Sequence, residues 1–362
     1  MEKMKSIKHR LEKIFKSIGT EKLLIWNTGC IDSNFLYITG FTSGVFEDTP
    51  LIVERNGAKL ITFALEYDIA VEQRPKELEV IKANDGKEFS KLLEHELYGN
   101  EIGINGAFLP YNLVKRIRKG GAKSIVDVSK GLLEARLVKD KGEIALMRKA
   151  NRIAKKAFEQ IPAYFKTGIS EKELAAHFDY LMMRNGADGP SFPTIVSFGK
   201  NAALPHHMPD NTKLGENMFV LIDAGAKYKN YCSDLTRTFI FKPKKNSKRY
   251  IEMKRIYETV KKAQLLALRS IKPGVEASTP HIVAENFINS AYNGIYRGRF
   301  IHSLGHSIGI DVHDGFGLSK GYKFKLKPGM VFSDEPGIYI KDFGGVRIED
   351  DVLVTENGAV FF

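Results

Sequence analysis

Two aspartates lie at the inner ends of adjoining apolar runs in the stretch from Met218 to Phe241. Asp223 ends the first run and Asp234 begins the second, and a turn region containing Gly, Asn and Tyr separates them. A carboxylate at the end of a buried strand is costly unless it is paired or binds a metal ion. If the two runs form one hairpin, both carboxylates could converge on a metal; the alternative is that each aspartate caps a turn.

The order of features around this hairpin recurs in the second half of the chain. Each half has an amphipathic helix that ends at a glycine, a second helix, a histidine, a carboxylate two residues before a glycine, and a further carboxylate. The matched pairs are Gly168 with Gly274, His206 with His313, Asp223 with Glu335, and Asp234 with Glu349. We infer an internal duplication of an α–α–β–β unit, against the alternative of coincidence among common residue types.

The four matched carboxylates would crowd into one site, where they must be protonated or neutralised by cations. With one imidazole they form the ligand set expected for two divalent ions such as Mn²⁺, Co²⁺, Fe²⁺ or Zn²⁺. His306 is the candidate imidazole, because nearby glycines permit close approach of the backbone. A lone histidine is more often a core or surface residue, but His302 and His313 lie close by in the sequence, which favours a functional cluster.

Such a pair of ions activates a water molecule for hydrolysis without a covalent intermediate. His206, His302 and His313 are then candidates to bind the oxyanion or the leaving group. A phosphatase could use similar ions, but the sequence has no Gly-rich phosphate-binding loop. Cys232 is interpreted as a packing residue rather than a nucleophile, because no activating base stands at a fixed spacing from it.

The composition bounds the class of protein. The chain has 362 residues, 43% hydrophobic and 27% charged, as expected of a soluble globular protein with two domains. The basic, amphipathic N-terminus predicts a helix with apolar residues from Ile7 to Ile18, and it lacks the apolar centre and cleavage site of a secretory signal. A membrane-surface helix is the less favoured alternative. Two distant cysteines, Cys30 and Cys232, fit a reducing, cytoplasmic location.

The net charge of +12 does not indicate a nucleic-acid partner. The basic residues are scattered, and their densest cluster, Lys242 to Arg249, reads as a solvated loop between a strand and a helix. No RNA- or DNA-binding motif accompanies that cluster. The absence of a long apolar run likewise predicts no spanning helix and no membrane partner.

The chain is predicted to consist of two domains joined by a linker. Residues 1–130 alternate between helix and strand, which predicts a small α/β domain with a sheet. The charged segment 131–142 is interpreted as the linker, and residues 143–362 as the catalytic domain. In that domain Ser170 and Glu173 form a predicted capping box, and Ser278 is a candidate helix N-cap.

Several motifs resemble one known family of enzymes. The stretches LIDAGAKYKNYCSDLTRTF, HSLGHSIGIDVHD, GMVFSDEPGIYI and GGVRIEDDVLVTE resemble dinuclear metallopeptidases of the pita-bread fold, in their Xaa-Pro aminopeptidase and prolidase branch. The stretch FLYITGF is similar to the creatinase-type N-terminal domain of that branch. The resemblance implies an α/β creatinase-like N-terminal domain and an α+β pita-bread catalytic domain with an internal pseudo-twofold duplication.

The resemblance also implies roles for individual residues. The implied metal ligands are Asp223, Asp234, His306, Glu335 and Glu349, with Asp234 and Glu349 bridging two divalent ions, of which manganese is favoured. Glu335 is the implied proton acceptor from the nucleophilic water. His206, His302, His313 and Arg347 match the substrate-side residues of the family, and His207 is interpreted as incidental. A homodimer is expected.

Two departures from the family pattern concern the surroundings of these ligands. Ser307 stands where many members have glycine, and Ser333-Asp334 occupies positions that are usually apolar or hydroxyl-bearing. These changes affect the expected specificity more than the expected metal binding.

The favoured function is a metal-dependent Xaa-Pro aminopeptidase, which removes an N-terminal residue ahead of proline. The bond before proline is a tertiary amide without an N–H, so peptidases that require this N–H fail on it. The alternative with the same site is prolidase, an Xaa-Pro dipeptidase. Less favoured alternatives are a non-catalytic peptide- or protein-binding relative and a creatinase-like amidinohydrolase.

Overall fold

The chain divides into two compact units. The computed structural model describes residues 6–362; one unit ends at Arg136, and the other runs from Leu137 to Phe362. The boundary lies inside the segment 131–142 that the sequence predicts as a linker. No helix among the described residues is long and apolar enough to cross a membrane.

The N-terminal unit is built on one six-stranded sheet. In sheet order the strands are β4 (Leu78–Lys82), β3 (Gly57–Thr62), β2 (Pro50–Glu54), β1 (Lys22–Trp26), β5 (Glu101–Ile104) and β6 (Ser124–Asp127). The helices are α1 (Ile7–Ser17), α2 (Ser33–Thr39), α3 (Ala64–Gln73), α4 (Gly86–Leu97), α5 (Tyr111–Lys119) and α6 (Ser129–Leu137). The middle strands β1, β2 and β3 pair antiparallel and the outer strands join them in parallel, which confirms the predicted α/β character.

Local sequence signals explain the first two helices. The predicted apolar face of α1 is buried, from Ile7 to Phe15, with Ile18 beyond the helix end. The apolar run that begins at Asn34 forms α2, because the Asp32 side chain accepts the N–H of Asn34 at its start. Gly40 then ends α2 in the left-handed conformation, with φ of 70°.

The second unit contains two successive helix–helix–strand assemblies. Its helices are α7 (Lys141–Gln160), α8 (Glu171–Arg184), α9 (Lys248–Ser270) and α10 (Thr279–Ser290). The strands that follow the first helix pair are β7 (Gly189–Pro190), β8 (Ile195–Phe198), β9 (Met218–Ala224), β10 (Ala226–Tyr228), β11 (Tyr231–Cys232) and β12 (Leu235–Phe241). Those after the second pair are β13 (Gly305–His306), β14 (Gly317–Leu318), β15 (Val331–Asp334), β16 (Gly337–Ile340), β17 (Gly344–Arg347), β18 (Asp350–Thr355) and β19 (Gly358–Phe361).

Helix starts in this unit mostly follow the predicted caps. Ser170 and Glu173 form the capping box of α8 as predicted. Asp140 and Glu143 form a second capping box that starts α7 inside the predicted linker, so much of segment 131–142 is helical. Ser278 precedes α10, but its hydroxyl donates to the Glu276 carboxylate instead of capping the helix.

The predicted duplication is visible in the strand pairing. β9 and β12 pair antiparallel, as do β15 and β18, and each pair encloses a small inserted hairpin, β10–β11 in the first case and β16–β17 in the second. Buried side chains from α7 and α8 pack on the first assembly, and those from α9 and α10 pack on the second. Each long strand pair therefore packs against its own helix pair, and Phe219 and Leu221 of β9 also belong to the second core.

The turn of the chain after β9 brings Gly225 against the residue that precedes Asp234. A Cβ atom at Gly225 would lie 1.8 Å from the carbonyl oxygen of Ser233. This contact involves backbone on both sides, so neither partner can move aside without shifting the hairpin. The absence of a side chain at Gly225 thus permits the approach that sets Asp223 and Asp234 beside each other.

We expect Gly225→Ala to lower the free energy of unfolding by about 1–3 kcal/mol through overpacking. Chemical denaturation monitored by circular dichroism measures this loss. Gly189→Ala is the matched control, because Gly189 lies on the adjoining strand β7 and a Cβ there meets nothing within 4 Å. Equal stability of the two variants would contradict this account of Gly225.

Candidate active site

The predicted metal ligands are carried by the ends of paired strands. Asp223 lies near the end of β9, opposite Thr236 of β12, and Asp234 directly precedes β12. The second assembly places its groups in the same way: His306 on β13, Glu335 directly after β15, and Glu349 directly before β18. Because strand ends of paired hairpins are fixed by ladder hydrogen bonds, these side chains start from rigid positions.

The five side chains converge. The Nε2 atom of His306 lies 3.5 Å from Asp234 Oδ2 and 3.4 Å from Glu335 Oε1. Ligand atoms of Asp234, His306 and Glu349 all lie within 4.8 Å of one another, a spacing that one metal ion can bridge. Asp223 lies at the same cavity wall, on the strand that pairs with the one following Asp234.

Several carboxylate oxygens of the cluster have no hydrogen-bond donor among the described residues. They are Asp223 Oδ1, Asp234 Oδ1 and Glu349 Oε1, all buried. Burial and the neighbouring carboxylates raise the pKa of Asp234 and of Glu349 well above their ordinary values. Burial also raises the pKa of Glu335 to about 8. Divalent cations fit this set of donors, because it combines buried oxygens without hydrogen-bond partners with carboxyl groups whose charges repel one another.

The His306 ring is oriented by a hydrogen bond from its Nδ1 atom. Its Nδ1 donates to the Ser307 carbonyl oxygen over 3.4 Å, which leaves the Nε2 lone pair directed at the carboxylates. Burial, and after it His313, lowers the pKa of His306 to about 3. The His313 ring stands next to it, with ring centroids 4.0 Å apart.

A buried chain of hydrogen bonds links Asp223 to His302. Arg347 pairs with Asp223 Oδ2 at 2.5 Å and donates to the Tyr339 hydroxyl at 3.0 Å. Burial raises the pKa of Tyr339 to about 12, so this hydroxyl keeps its proton and donates it to His302 Nε2 at 2.8 Å. His302 Nδ1 donates to the Ser303 carbonyl, and burial lowers the pKa of His302 to about 4.

Arg347 therefore directs its guanidinium at protein groups. Besides Asp223 and Tyr339 it reaches Thr236 Oγ1 at 3.0 Å and the Pro205 carbonyl at 3.4 Å. Its predicted contact with substrate stays a prediction. The pairing engages only one oxygen of Asp223, so the other remains available to a cation.

All of the site residues predicted from the sequence line one cavity of about 390 Å³. They are His206, Asp223, Asp234, His302, His306, His313, Glu335, Arg347 and Glu349. Phe192, Ile195 and Val312 add apolar wall to the same cavity. The structure thus brings together every predicted group around one cavity, whose wall is partly apolar.

Three hydroxyl residues that hydrogen-bond to predicted site residues have no role assigned from the sequence. Thr236 Oγ1 donates to Glu349 Oε2 at 2.6 Å, and Ser333 Oγ accepts from the His306 N–H and donates to Glu335 Oε1 at 3.1 Å. Tyr339 supplies the third hydroxyl. Thr236 and Ser333 each stand two residues from a predicted ligand. Because strand side chains alternate between faces, residues two apart share a face, and this spacing is the sequence signal that could have identified them.

A buried ion pair holds the loop that carries His306 and His313. Lys139 Nζ lies 3.1 Å from Asp314 Oδ2, and both side chains are 1% exposed. The loop turns closely at Gly309, where a Cβ would lie 2.3 Å from the same carboxylate oxygen. A buried pair of this kind is strongly destabilising when one partner is removed.

The contacts of Cys232 and His207 bear on the roles that the sequence predicts for these two residues. Cys232 is buried, its thiol donates to the Ile310 carbonyl, and burial raises its pKa to about 12, which agrees with a packing residue. His207 is not incidental: its Nε2 lies 2.7 Å from the buried carboxylate of Glu171. No sequence spacing connects His207 with Glu171, because their contact joins a loop to a distant helix start.

Comparisons with known proteins show the family of this chain. Residues 145–356 match the model of metallopeptidase family M24, and residues 9–138 match that of the creatinase/prolidase N-terminal domain. The Xaa-Pro dipeptidase of Pyrococcus furiosus is 38% identical over 310 residues, which cover 85% of each chain.

Two solved structures extend the likeness over nearly the whole chain. The Xaa-Pro dipeptidase from Bacillus anthracis has a TM-score of 0.88 at 29% identity, covering 98% of this chain and 97% of its own. The X-Pro aminopeptidase from Thermotoga maritima has a TM-score of 0.86 at 31% identity, covering 96% of this chain and 97% of its own.

The strand that leads to Glu335 contains a buried carboxylate outside the ligand cluster, Asp334. It is 0% exposed, and neither of its carboxylate oxygens has a hydrogen-bond partner among the described residues. It stands opposite Asp350 in the β15–β18 ladder. Burial, and after it Asp350 and Glu335, raises the pKa of Asp334 well above its ordinary value.

We expect Asp334→Thr, a change of similar volume, to raise the free energy of unfolding by about 1–3 kcal/mol, since a buried carboxyl group with two unpaired oxygens is replaced by one neutral hydroxyl that costs less to bury. A raised folded-state pKa means that the wild type loses stability as pH rises above the unfolded pKa of aspartate. The gain should therefore be larger at about pH 8 than at about pH 5. Urea denaturation at both pH values, at fixed metal concentration, measures this; a destabilised variant at the higher pH would contradict it.

Proposed function

The chain belongs to metallopeptidase family M24, and from this premise we propose that it is an Xaa-Pro dipeptidase, or prolidase. The observation that carries the proposal is the convergence of four carboxylates, one neutral imidazole and an apolar wall in one cavity. The sequence favours an Xaa-Pro aminopeptidase, with the dipeptidase as its alternative. The full-length likeness to proteins named Xaa-Pro dipeptidase supports the alternative instead.

We propose that Asp223, Asp234, His306, Glu335 and Glu349 would hold two divalent metal ions. When bound, such ions polarise the scissile carbonyl and increase the acidity of a water molecule. The presence of all five groups in the cavity disfavours a non-catalytic relative. Manganese as the metal, and a homodimer, remain predictions that rest on the resemblance.

Glu335 is proposed to accept and return the proton. Burial raises the pKa of this carboxyl to about 8, so it binds a proton near neutral pH far more readily than an exposed glutamate. The Ser333 hydroxyl fixes one of its oxygens, and His302 Nδ1 lies 3.9 Å from the other. The carboxyl can thus take a proton from the attacking water and deliver it to the proline nitrogen, which has no proton of its own.

The histidines that line the cavity are proposed to have different roles. Both nitrogens of His302 are engaged by Tyr339 and Ser303, so we propose that His302 shapes the wall beside Glu335. His206 and His313 face the same cavity, and burial lowers the pKa of His313. A neutral imidazole there donates one N–H to a substrate oxygen without adding charge.

The apolar wall suits the proline ring. Phe192, Ile195 and Val312 line the cavity beside the carboxylates, and a tertiary amide approaching them has no N–H to leave unpaired. A second candidate function, Xaa-Pro aminopeptidase, is supported by the likeness to the X-Pro aminopeptidase from Thermotoga maritima. The two activities differ in the length of peptide accepted.

We expect Ala-Pro to be hydrolysed in the presence of Mn²⁺ and Ala-Pro-Ala to remain intact, because the proposed dipeptidase accepts only a proline with a free carboxylate. Release of free proline or alanine, followed by chromatography, measures both reactions. Ala-Ala serves as the control for proline preference. Cleavage of the tripeptide between alanine and proline would instead establish the aminopeptidase activity.

We expect Asp234→Ala to lower kcat/KM by more than about 100-fold, beyond the loss typical of a residue that only supports a ligand. The reason is that Asp234 would be a metal ligand, so bound metal should fall as well. Metal analysis after dialysis and circular dichroism separate this effect from misfolding.

Thr236→Val is the matched control for Asp234→Ala. It removes the hydroxyl that donates to Glu349 and accepts from Arg347, and leaves every proposed ligand in place, so we expect about a 10–100-fold loss with the metal retained. Full turnover by Asp234→Ala would contradict the ligand assignment.

A further inference from the structure

His206 lies on an irregular connection, although its proposed task demands a fixed position. The residues between β8 and β9 form one short 3₁₀ turn, Gly199–Ala203, and otherwise no regular structure around His206. Irregular connections are the more mobile parts of a fold. A side chain that must meet a substrate oxygen within hydrogen-bond distance needs additional support there.

That support is centred on Glu171, in the first turn of α8. Its carboxylate is 0% exposed and accepts four contacts. Oε1 receives the Phe198 N–H at 2.7 Å and the Asn201 side-chain amide at 3.0 Å. Oε2 receives His207 Nε2 at 2.7 Å and the Asp210 N–H at 3.1 Å. One carboxylate thus ties down the connection both before and after His206.

Further bonds close the connection around the same point. The Asn201 amide also reaches Thr212 Oγ1 at 3.1 Å, and the Glu171 N–H donates to the Thr212 carbonyl at 3.2 Å. On the cavity side, Arg347 donates to the carbonyl of Pro205, directly before His206. The segment that carries His206 is therefore held on one side by Glu171 of α8 and on the other by the Arg347 guanidinium.

The same cluster has the residue types of a metal site, since Glu171, His207 and Asp210 each offer a ligand atom within 4.8 Å of the others. However, each Glu171 oxygen already receives two N–H groups, and Asp210 Oδ1 receives the Thr212 N–H at 2.7 Å. A buried carboxylate satisfied in this way has no need of a cation.

We propose that His207 and Glu171 form a positioning pair that holds His206 at the reaction centre, an inference that rests on the role proposed for His206 above. The Nε2–H of His207 donates to Glu171, and this bond links the residue next to His206 to a rigid helix start. His207 itself does not line the cavity, so it acts through His206 and not on the substrate.

The kinetic test is a double-mutant cycle of His206→Ala and His207→Ala in the metal-loaded enzyme, with Ala-Pro as substrate. We expect His207→Ala to lower kcat/KM about 10–100-fold, as a misplaced catalytic group does. The double variant should lose no more than His206→Ala alone, because both changes remove the same contact. Additive losses would overturn the proposal.

His207→Gln provides the rescue. Its amide can donate to the Glu171 carboxylate, so we expect it to recover most of the activity lost in His207→Ala. A variant that stays as impaired as His207→Ala would contradict the donated bond. Metal content should be unchanged in both His207 variants and in Asp210→Asn; loss of a bound ion in any of them would assign the cluster to metal binding instead.

A measurement without substrate keeps this inference separate from the proposed function. Hydrogen–deuterium exchange followed by mass spectrometry should show faster exchange of residues 199–213 in His207→Ala than in the wild type, and unchanged exchange of residues 306–314. Equal exchange of residues 199–213 would overturn the positioning role. Failure of the wild type to hydrolyse Ala-Pro would refute only the dipeptidase proposal, because the exchange result does not depend on the substrate.

Discussion

Mutual repulsion among buried carboxylates is the constraint on which the catalytic unit depends. Asp234, Glu335 and Glu349 line one cavity, where His306 Nε2 lies within 3.5 Å of both Asp234 and Glu335 and ligand atoms of Asp234 and Glu349 lie within 4.8 Å of each other. Their charged forms cannot coexist there without compensation. The protein supplies one part of it through the Arg347–Asp223 pair, and the remaining unpaired oxygens are those that divalent cations would complete.

The fold answers this constraint with rigidity. Each carboxylate projects from the end of a strand whose partner is fixed by ladder hydrogen bonds, and each assembly rests on a separate pair of helices. Hydroxyl groups then fix individual oxygens, as Thr236 does for Glu349 and Ser333 does for Glu335. Repulsive groups can be held in this way only if the frame around them cannot relax.

The irregular segments are held by buried polar contacts instead of ladders. Lys139 and Asp314 fix the loop that bears His306 and His313, and Glu171 fixes the connection that bears His206. Asp334 is the exception, because its buried carboxylate has no hydrogen-bond partner among the described residues. The other buried polar groups named here therefore position a functional side chain. The Asp334 carboxylate destabilises the fold and positions none of them.

Much of the site could be predicted from the sequence. The strand pattern around Asp223 and Asp234, and its repetition at Glu335 and Glu349, are local signals, because period-2 apolar runs and turn residues depend on near neighbours. The α/β character of the first unit, the α8 capping box and the buried face of α1 follow from equally local rules. The motif resemblance predicts the family correctly. The comparisons support the dipeptidase alternative better than the favoured aminopeptidase.

The tertiary structure alone decided the contacts between residues distant in sequence. The chain from Asp223 through Arg347 and Tyr339 to His302 joins separate strands, and the bond from His207 to Glu171 joins a loop to a helix start. No local spacing encodes such pairs, since they arise only when elements pack together. The sequence by itself predicted which groups could carry the chemistry. Packing decided which groups hold them in place, because long-range distances exist only in the folded chain.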